Sequence, residues 1–243
     1  MIQNMNRILH KLWMRRWVLR SIISTIYFNF KYLPLKQAIH LPVFLYKPKF
    51  IHCTGKFVIY GGVKPNMIQL GKMMVSIYPN NGITIENKGL IEFYGRCSIG
   101  NNSFISVNKN GRLQIGADFC CTSSLKLASH CGIKFGSKVS VGWENLFMDT
   151  DFHRIKSVDG NRIQPYGEIV IGDECWLGAK CVIMKNTHLP NHTIVASSSL
   201  LNKSYDCAEK SLLAGQPARV VKTGVYRDFA DDKINYNLES KHF

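Results

Sequence analysis

From residue 171 onward an aliphatic residue returns at every sixth place. Ile171, Leu177, Ile183, Leu189 and Val195 head the sixes IGDECW, LGAKCV, IMKNTH, LPNHTI and VASSSL. The fifth place of each is small: Cys175, Cys181, Thr187, Thr193 and Ser199. An earlier run, FGSKVS, VGWENL and FMDTDF, keeps the same period from Phe135, and IGNNSF at Ile99 and IGADFC at Ile115 are copies in a less regular stretch. Each six predicts a short strand and a turn, and three of them predict one triangular coil. The aliphatic head points inward onto its counterpart in the next coil, the small fifth residue fits the corner, and Gly or Asn accommodates the turn. A coil buries its apolar side only against neighbouring coils, so the pattern calls for a stack of many.

The period breaks once. After Phe152 the stretch HRIKSVDGNRIQPYGE carries no aliphatic heads, and Ile169-Val170-Ile171 then resumes the pattern. This predicts a loop at 153–168 that projects from the coil and is anchored at both ends, a place where chemistry tends to sit.

Upstream the pattern is different. From about Met5 to Phe30, Ile8, Leu12, Leu19, Ile22, Ile23, Ile26 and Phe30 recur at spacings of three and four, which predicts a helix. Arg7, Lys11, Arg15, Arg16 and Arg20 give it a cationic row, with Trp13 and Trp17 between. Such a helix either lies in a membrane surface or packs on the main domain or a neighbouring subunit. Pro34, Pro42 and Pro48 punctuate the segment that follows, and β-like texture begins at about Phe57. The expected division is therefore a basic helical segment and linker at 1–50, a coil domain at 51–215 and a C-terminal extension at 216–243 running along its outside.

Charge sharpens this picture. The net charge is +15, yet no Asp or Glu precedes Glu86, whereas twelve Lys or Arg do. The basicity belongs to the N-terminal third and points to an anionic partner there. Nucleic acid is not the expected partner, since no recognition motif accompanies the charge and the tryptophans lie on a helix whose pattern suits lipid or protein better. No apolar run is long enough for an ordinary membrane-spanning helix, and no secretory signal is evident. The eight cysteines show no disulfide spacing, so reduced thiols and a cytoplasmic location, peripheral at the membrane if the helix binds it, are expected. Cys175 and Cys181 read as small corner residues, and His188 and His192 do not share a register position with a third ligand, so no metal is expected.

The motifs MDTDFH, IVIGDECWLGAKCVI and AGQPARVVK, spread over about Ile133 to Arg219, resemble the hexapeptide-repeat acyltransferases. The likeness is to the maltose, galactoside and xenobiotic O-acetyltransferase group and its polysaccharide O-acetyltransferase branch. The resemblance implies an all-β, left-handed parallel β-helix that assembles as a homotrimer. It also implies an enzyme that moves an acetyl group from acetyl-CoA to a sugar hydroxyl, as in bacterial surface-polysaccharide biosynthesis.

The resemblance makes His153 the general base, which takes the hydroxyl proton as the oxygen attacks the thioester. Trp176, at the restart of the repeat, stands beside the site; its indole N–H or a nearby backbone N–H would serve the oxyanion. Asp151 is the candidate for orienting the imidazole, with Asp149 an equal one. Ala179 and Ser197 match positions along the pantetheine arm, and Lys203, Arg219 and Lys222 match basic positions that meet the phosphates. The sugar-binding Asn of the group has no clear match, although Ser123 or Ser124 falls near its spacing. A β-helix without chemistry, attached to a membrane surface as a scaffold, is the alternative.

Overall fold

The computed structural model describes residues 18–232. Parallel strands stack there in three faces. The first face runs from Val43–Leu45 to Ser211–Gly215, the second from Pro48–Cys53 to Leu200–Leu201, and the third from Lys56–Ile59 to His188–Leu189. The chain visits the faces in turn, once per coil, which is the triangular parallel coil that the six-residue period predicts and the left-handed β-helix that the resemblance implies. In the last coils the register is strict: Trp176 pairs with Ile194, Val182 with Leu200 and Val170 with His188, each 18 residues on. The strand Ala218–Thr223 turns back antiparallel on Ser211–Gly215 and closes that end.

The heads of the sixes form the core. Phe147, Leu177, Ile183 and Leu201 are fully buried, one above another on their faces. The small fifth residues are buried too, and their hydroxyls close the corners: Thr187, Thr193 and Ser199 each donate to the carbonyl three residues back, at 2.7–2.8 Å. Cys175 and Cys181 occupy the same places, and all eight cysteines are free thiols. Burial pushes the Cys175 thiol up to about 12.

The corners differ from the expectation in one respect. The left-handed backbone falls on the fourth residue of each six, at Glu174, Lys180, Asn186, His192 and Ser198, not on the glycine. The glycine at the second place serves close approach between coils. A Cβ on Gly178 would stand 2.7 Å from the Ser197 nitrogen, and one on Gly172 would stand 2.7 Å from the Asn191 nitrogen.

The stack also begins earlier than residue 51. Val43–Leu45 pairs with Ile68–Lys72, and Pro48 already pairs with Ile83. Prolines at 42 and 48 read as a linker, but at the edge of a sheet a proline removes no ladder bond from an inner strand.

That edge is covered by the helix α1, over residues 18–32. The helical spacing of the sequence holds here; the part of the expected helix before residue 18 lies outside the described residues. The face that packs is the polar one. Ser21, Thr25 and Asn29, four apart, are buried. Their side chains accept from the backbone N–H groups of Lys47, Leu45 and Val43 at 3.0–3.1 Å, and Asn29 donates to the Val43 carbonyl at 2.7 Å. An open edge strand exposes unpaired amides and carbonyls, which only polar side chains can satisfy. Phe28 completes the cap, with ring contacts to Phe50 on the second face and Phe57 on the third. α1 thus lies across the open end of the first coil. A short helix, α2 (Leu35–Ala38), follows it. Among the described residues no helix is long and apolar enough to cross a membrane.

Candidate active site

The register marks where the repeat opens. Leu146 pairs with Val182, 36 residues on, twice the ordinary step, so one coil's worth of chain leaves the stack and returns in phase. The excursion is a hairpin. Its base is held by Gly167 N–H donating to the Asp149 carbonyl and Asp151 N–H donating to the Pro165 carbonyl, and its stem pairs Ile155–Lys156 with Arg162–Ile163. The tip at Val158 is fully exposed.

His153 sits at the start of this hairpin, exposed to solvent. Its Nδ1 is 3.2 Å from the backbone carbonyl of Asp151. A carbonyl only accepts, so this contact places the proton of a neutral imidazole on Nδ1 and leaves the lone pair on Nε2. Phe152, with a left-handed φ of 59°, turns the chain between the two residues, and its ring stands edge-on to that of His130.

The two aspartates, equal candidates in the sequence, have different tasks in the structure. Asp149 is fully buried and holds the turn at 129–132: it accepts from the Ser129 hydroxyl and from the N–H groups of His130, Cys131 and Gly132 at 2.7–3.1 Å. The Asp151 carboxylate accepts from Lys185 Nζ at 2.5 Å and does not face the imidazole; what Asp151 offers His153 is its backbone carbonyl. Lys185 also donates to the Gln164 carbonyl at 2.6 Å and so ties both strands of the hairpin to the coil beneath. Sequence reading missed Lys185. The signal was its position: Met184, its neighbour, is in register with Met148, just where the chain leaves the stack.

The other candidates are dispersed over the single chain. Trp176 opens a strand of the first face and is 41% exposed, with the Arg227 guanidinium 5.6 Å from its ring centre. It is not in contact with His153, which stands at the corner between the second and third faces. Ala179 and Ser197 share the corner between the first and second faces, one coil apart. The Ala179 N–H is taken by the Ser197 hydroxyl at 3.1 Å, and the Ala179 carbonyl accepts from Ser198 N–H at 2.9 Å. Ser197 is exposed, and its amide donates to no group among the described residues. Lys203 lies past the second face, exposed, with its ammonium over the Tyr205 ring at 5.6 Å. Arg219 and Lys222 project from the exposed terminal strand.

Ser123 and Ser124 are buried in a turn and bonded to Asn101 and Asn102 of the coil below, so neither hydroxyl is presented to an acceptor. Arg227 is a cation beside Trp176 that sequence reading did not single out; it carries no repeat or motif signal, and it is held by Asp232.

No family model matches the chain. Over 81 residues it is 28% identical to a chloramphenicol acetyltransferase of Agrobacterium fabrum, a stretch that covers 33% of this chain and 36% of that protein. Over 73 residues it is 32% identical to a protein of Lysinibacillus sphaericus named a probable macrolide acetyltransferase, covering 30% of this chain and 37% of that one. The chain thus spans little more than a third of the length of the curated relatives it matches, and both carry the name of an acetyltransferase, the second as a probable one. Among solved structures, the polySia specific acetyltransferase NeuO overlaps 78% of this chain and 92% of its own, at 19% identity and a TM-score of 0.44. An overlap of that size adds nothing to the coil already read from the strand register.

Proposed function

We propose that this protein is an acetyl-CoA-dependent O-acetyltransferase acting on a sugar hydroxyl, with a role in the synthesis of a bacterial surface polysaccharide. The observation that carries the reading is the state of His153. It stands where one coil's worth of chain leaves the stack, on a hairpin fixed at both ends, with Nδ1 turned to a carbonyl and Nε2 without a partner among the described residues. That is the arrangement a general base needs. The partial similarity to two acetyltransferases supports the acyl chemistry.

In this reading Nε2 takes the proton of the acceptor hydroxyl as its oxygen attacks the thioester carbonyl. The negative charge that develops on the carbonyl oxygen is met by an N–H donor, from the Trp176 indole or a backbone amide near it. The imidazolium then returns the proton to the departing thiolate. No covalent enzyme intermediate forms, and Asp151 acts only through its carbonyl, by holding the ring.

The donor would lie along the stack. Its anionic phosphates suit the exposed Lys203, Arg219 and Lys222, and its amide-rich arm suits the unpartnered Ser197 amide beside Ala179. His153, Trp176 and the Ala179–Ser197 corner stand at separate places on one chain. We therefore place the site between copies of a homotrimer, where the hairpin of one copy meets a face of the next.

Calorimetry of acetyl-CoA with the full chain and with Lys203→Glu/Arg219→Glu tests the reading. Binding by the wild type that the charge reversals abolish is the expected result. A folded wild type that binds no acetyl-CoA would leave a scaffold without chemistry.

A further inference from the structure

α1 presents its polar side to the protein and its apolar side to solvent, the reverse of an ordinary surface helix. Leu19, Ile22, Ile23, Ile26 and Phe30 form one outward stripe, and Ile23 is 66% exposed. Tyr27, Arg20 and Lys31 follow along one margin of that stripe, all exposed. Lys31 and Lys56 line a cleft of about 440 Å³ between the helix and the third face, so a further cation stands beside the helix.

We propose that this outward face of α1 lies in the surface of an anionic lipid bilayer, with Arg20 and Lys31 against the headgroup phosphates. An apolar stripe bordered by cations and an aromatic ring is what an interfacial helix requires. Charge decides against the α1 of a second copy as the occupant. No Asp or Glu occurs in the first 85 residues, so two α1 faces brought together would set Arg20 and Lys31 of one copy near those of the other with no carboxylate of either helix to neutralise them. An anionic bilayer supplies the missing charge.

The direction of the face follows from the cap. α1 lies across the end of the first coil, so its outward side points along the stack away from the protein. The coil that carries the hairpin is the fifth, and four steps of about 4.8 Å put it roughly 20 Å from that end. The β-helix would stand on the bilayer with His153 clear of the lipid, so membrane contact and the site proposed above can be tested apart.

The test is co-sedimentation of the full chain with vesicles of phosphatidylcholine alone and of phosphatidylcholine mixed with phosphatidylglycerol. The wild type should bind the anionic vesicles, more weakly as salt rises, and leave the neutral ones largely unbound. Ile23→Ser/Ile26→Ser/Phe30→Ser, which spares Ser21, Thr25 and Asn29, should lose about tenfold or more of that partitioning at an unchanged melting temperature. Arg20→Glu/Lys31→Glu should lose it as well, and decides the matter if the triple variant is poorly folded. The proposal is overturned if the wild type binds neither vesicle, if the variants bind as the wild type does, or if the triple change alters the oligomeric state and leaves vesicle binding intact. Acetyl-CoA binding bears on none of these outcomes.

Discussion

Asp149 offers a perturbation whose cost can be worked out from its partners. Its carboxylate is fully buried and accepts four hydrogen bonds, three of them from the successive backbone amides of His130, Cys131 and Gly132. Asp149→Ala removes the acceptor and leaves the three amides unmet, while the Ser129 hydroxyl can still donate to the Arg112 carbonyl at 3.2 Å. Each unsatisfied buried donor costs about 1–3 kcal/mol, and bonds to a charged group lie at the upper end. His130 and Cys131 are only half-buried and can recruit water, whereas the Gly132 amide is buried and bears the full loss, so with a remainder from the other two the sum comes to roughly 3–4 kcal/mol.

Asp149→Asn is the sharper variant. Oδ2 receives three of the bonds, so the amide oxygen would take that place and its NH₂ would face the His130 N–H, now 2.7 Å from Oδ1. Donor against donor costs about 2 kcal/mol. At about 2–4 °C per kcal/mol for a chain of this size, the melting temperature should fall by about 4–8 °C for Asn and about 6–15 °C for Ala. Circular dichroism melts of both variants provide the check. Melting within about 2 °C of wild type for both would refute the assignment of Asp149 to holding the 129–132 turn.

Two further outcomes follow from other parts of the molecule. Arg112, at 2.5 and 3.0 Å, holds the buried Glu92 carboxyl below the usual carboxylate range, helped by the Tyr60 hydroxyl at 2.8 Å. A depressed carboxylate contributes stability that is full above its unfolded value, near 4.3, and is lost as pH falls through the lower folded value. Glu92→Gln should therefore cost about 1.5–3 kcal/mol at neutral pH and lessen the acid-induced drop in melting temperature below about pH 4; an unchanged acid limb would contradict this. Lys185→Met should free the hairpin from the coil, so that trypsin cuts at Arg154, Lys156 or Arg162 roughly three- to tenfold faster while cleavage elsewhere is unaffected.

How much of this was legible in the sequence depends on whether a feature repeats. The heads from Phe135 to Val195, the small corner residues and the hairpin at 153–168 all announce themselves by period or by its loss. The start of the stack does not, because the first coils are irregular: Val43 pairs with Ile68, 25 residues on, and Ile68 with Cys97, 29 on. α1 was legible as a helix, but its buried side was not. Hydrophobic spacing assumes that an apolar face turns inward, and here an open sheet edge recruits Ser21, Thr25 and Asn29 instead. The division of labour between Asp149 and Asp151 was hidden for a related reason. Both lie within three residues of each other, and only three-dimensional neighbours, the amides of 130–132 and Lys185 one coil away, tell them apart. The glycine of each six was visible, but its task was not, since a close approach between coils leaves no mark in the sequence of either.

The proposed function turns on His153 as the base of an acetyl transfer. The most direct measurement is thiol release from acetyl-CoA in the presence of an acceptor found by screening sugars and glycans, for the wild type and His153→Ala. Turnover of the variant should fall by about 10²–10⁴ with acetyl-CoA affinity unchanged. Near-normal turnover in His153→Ala would contradict it.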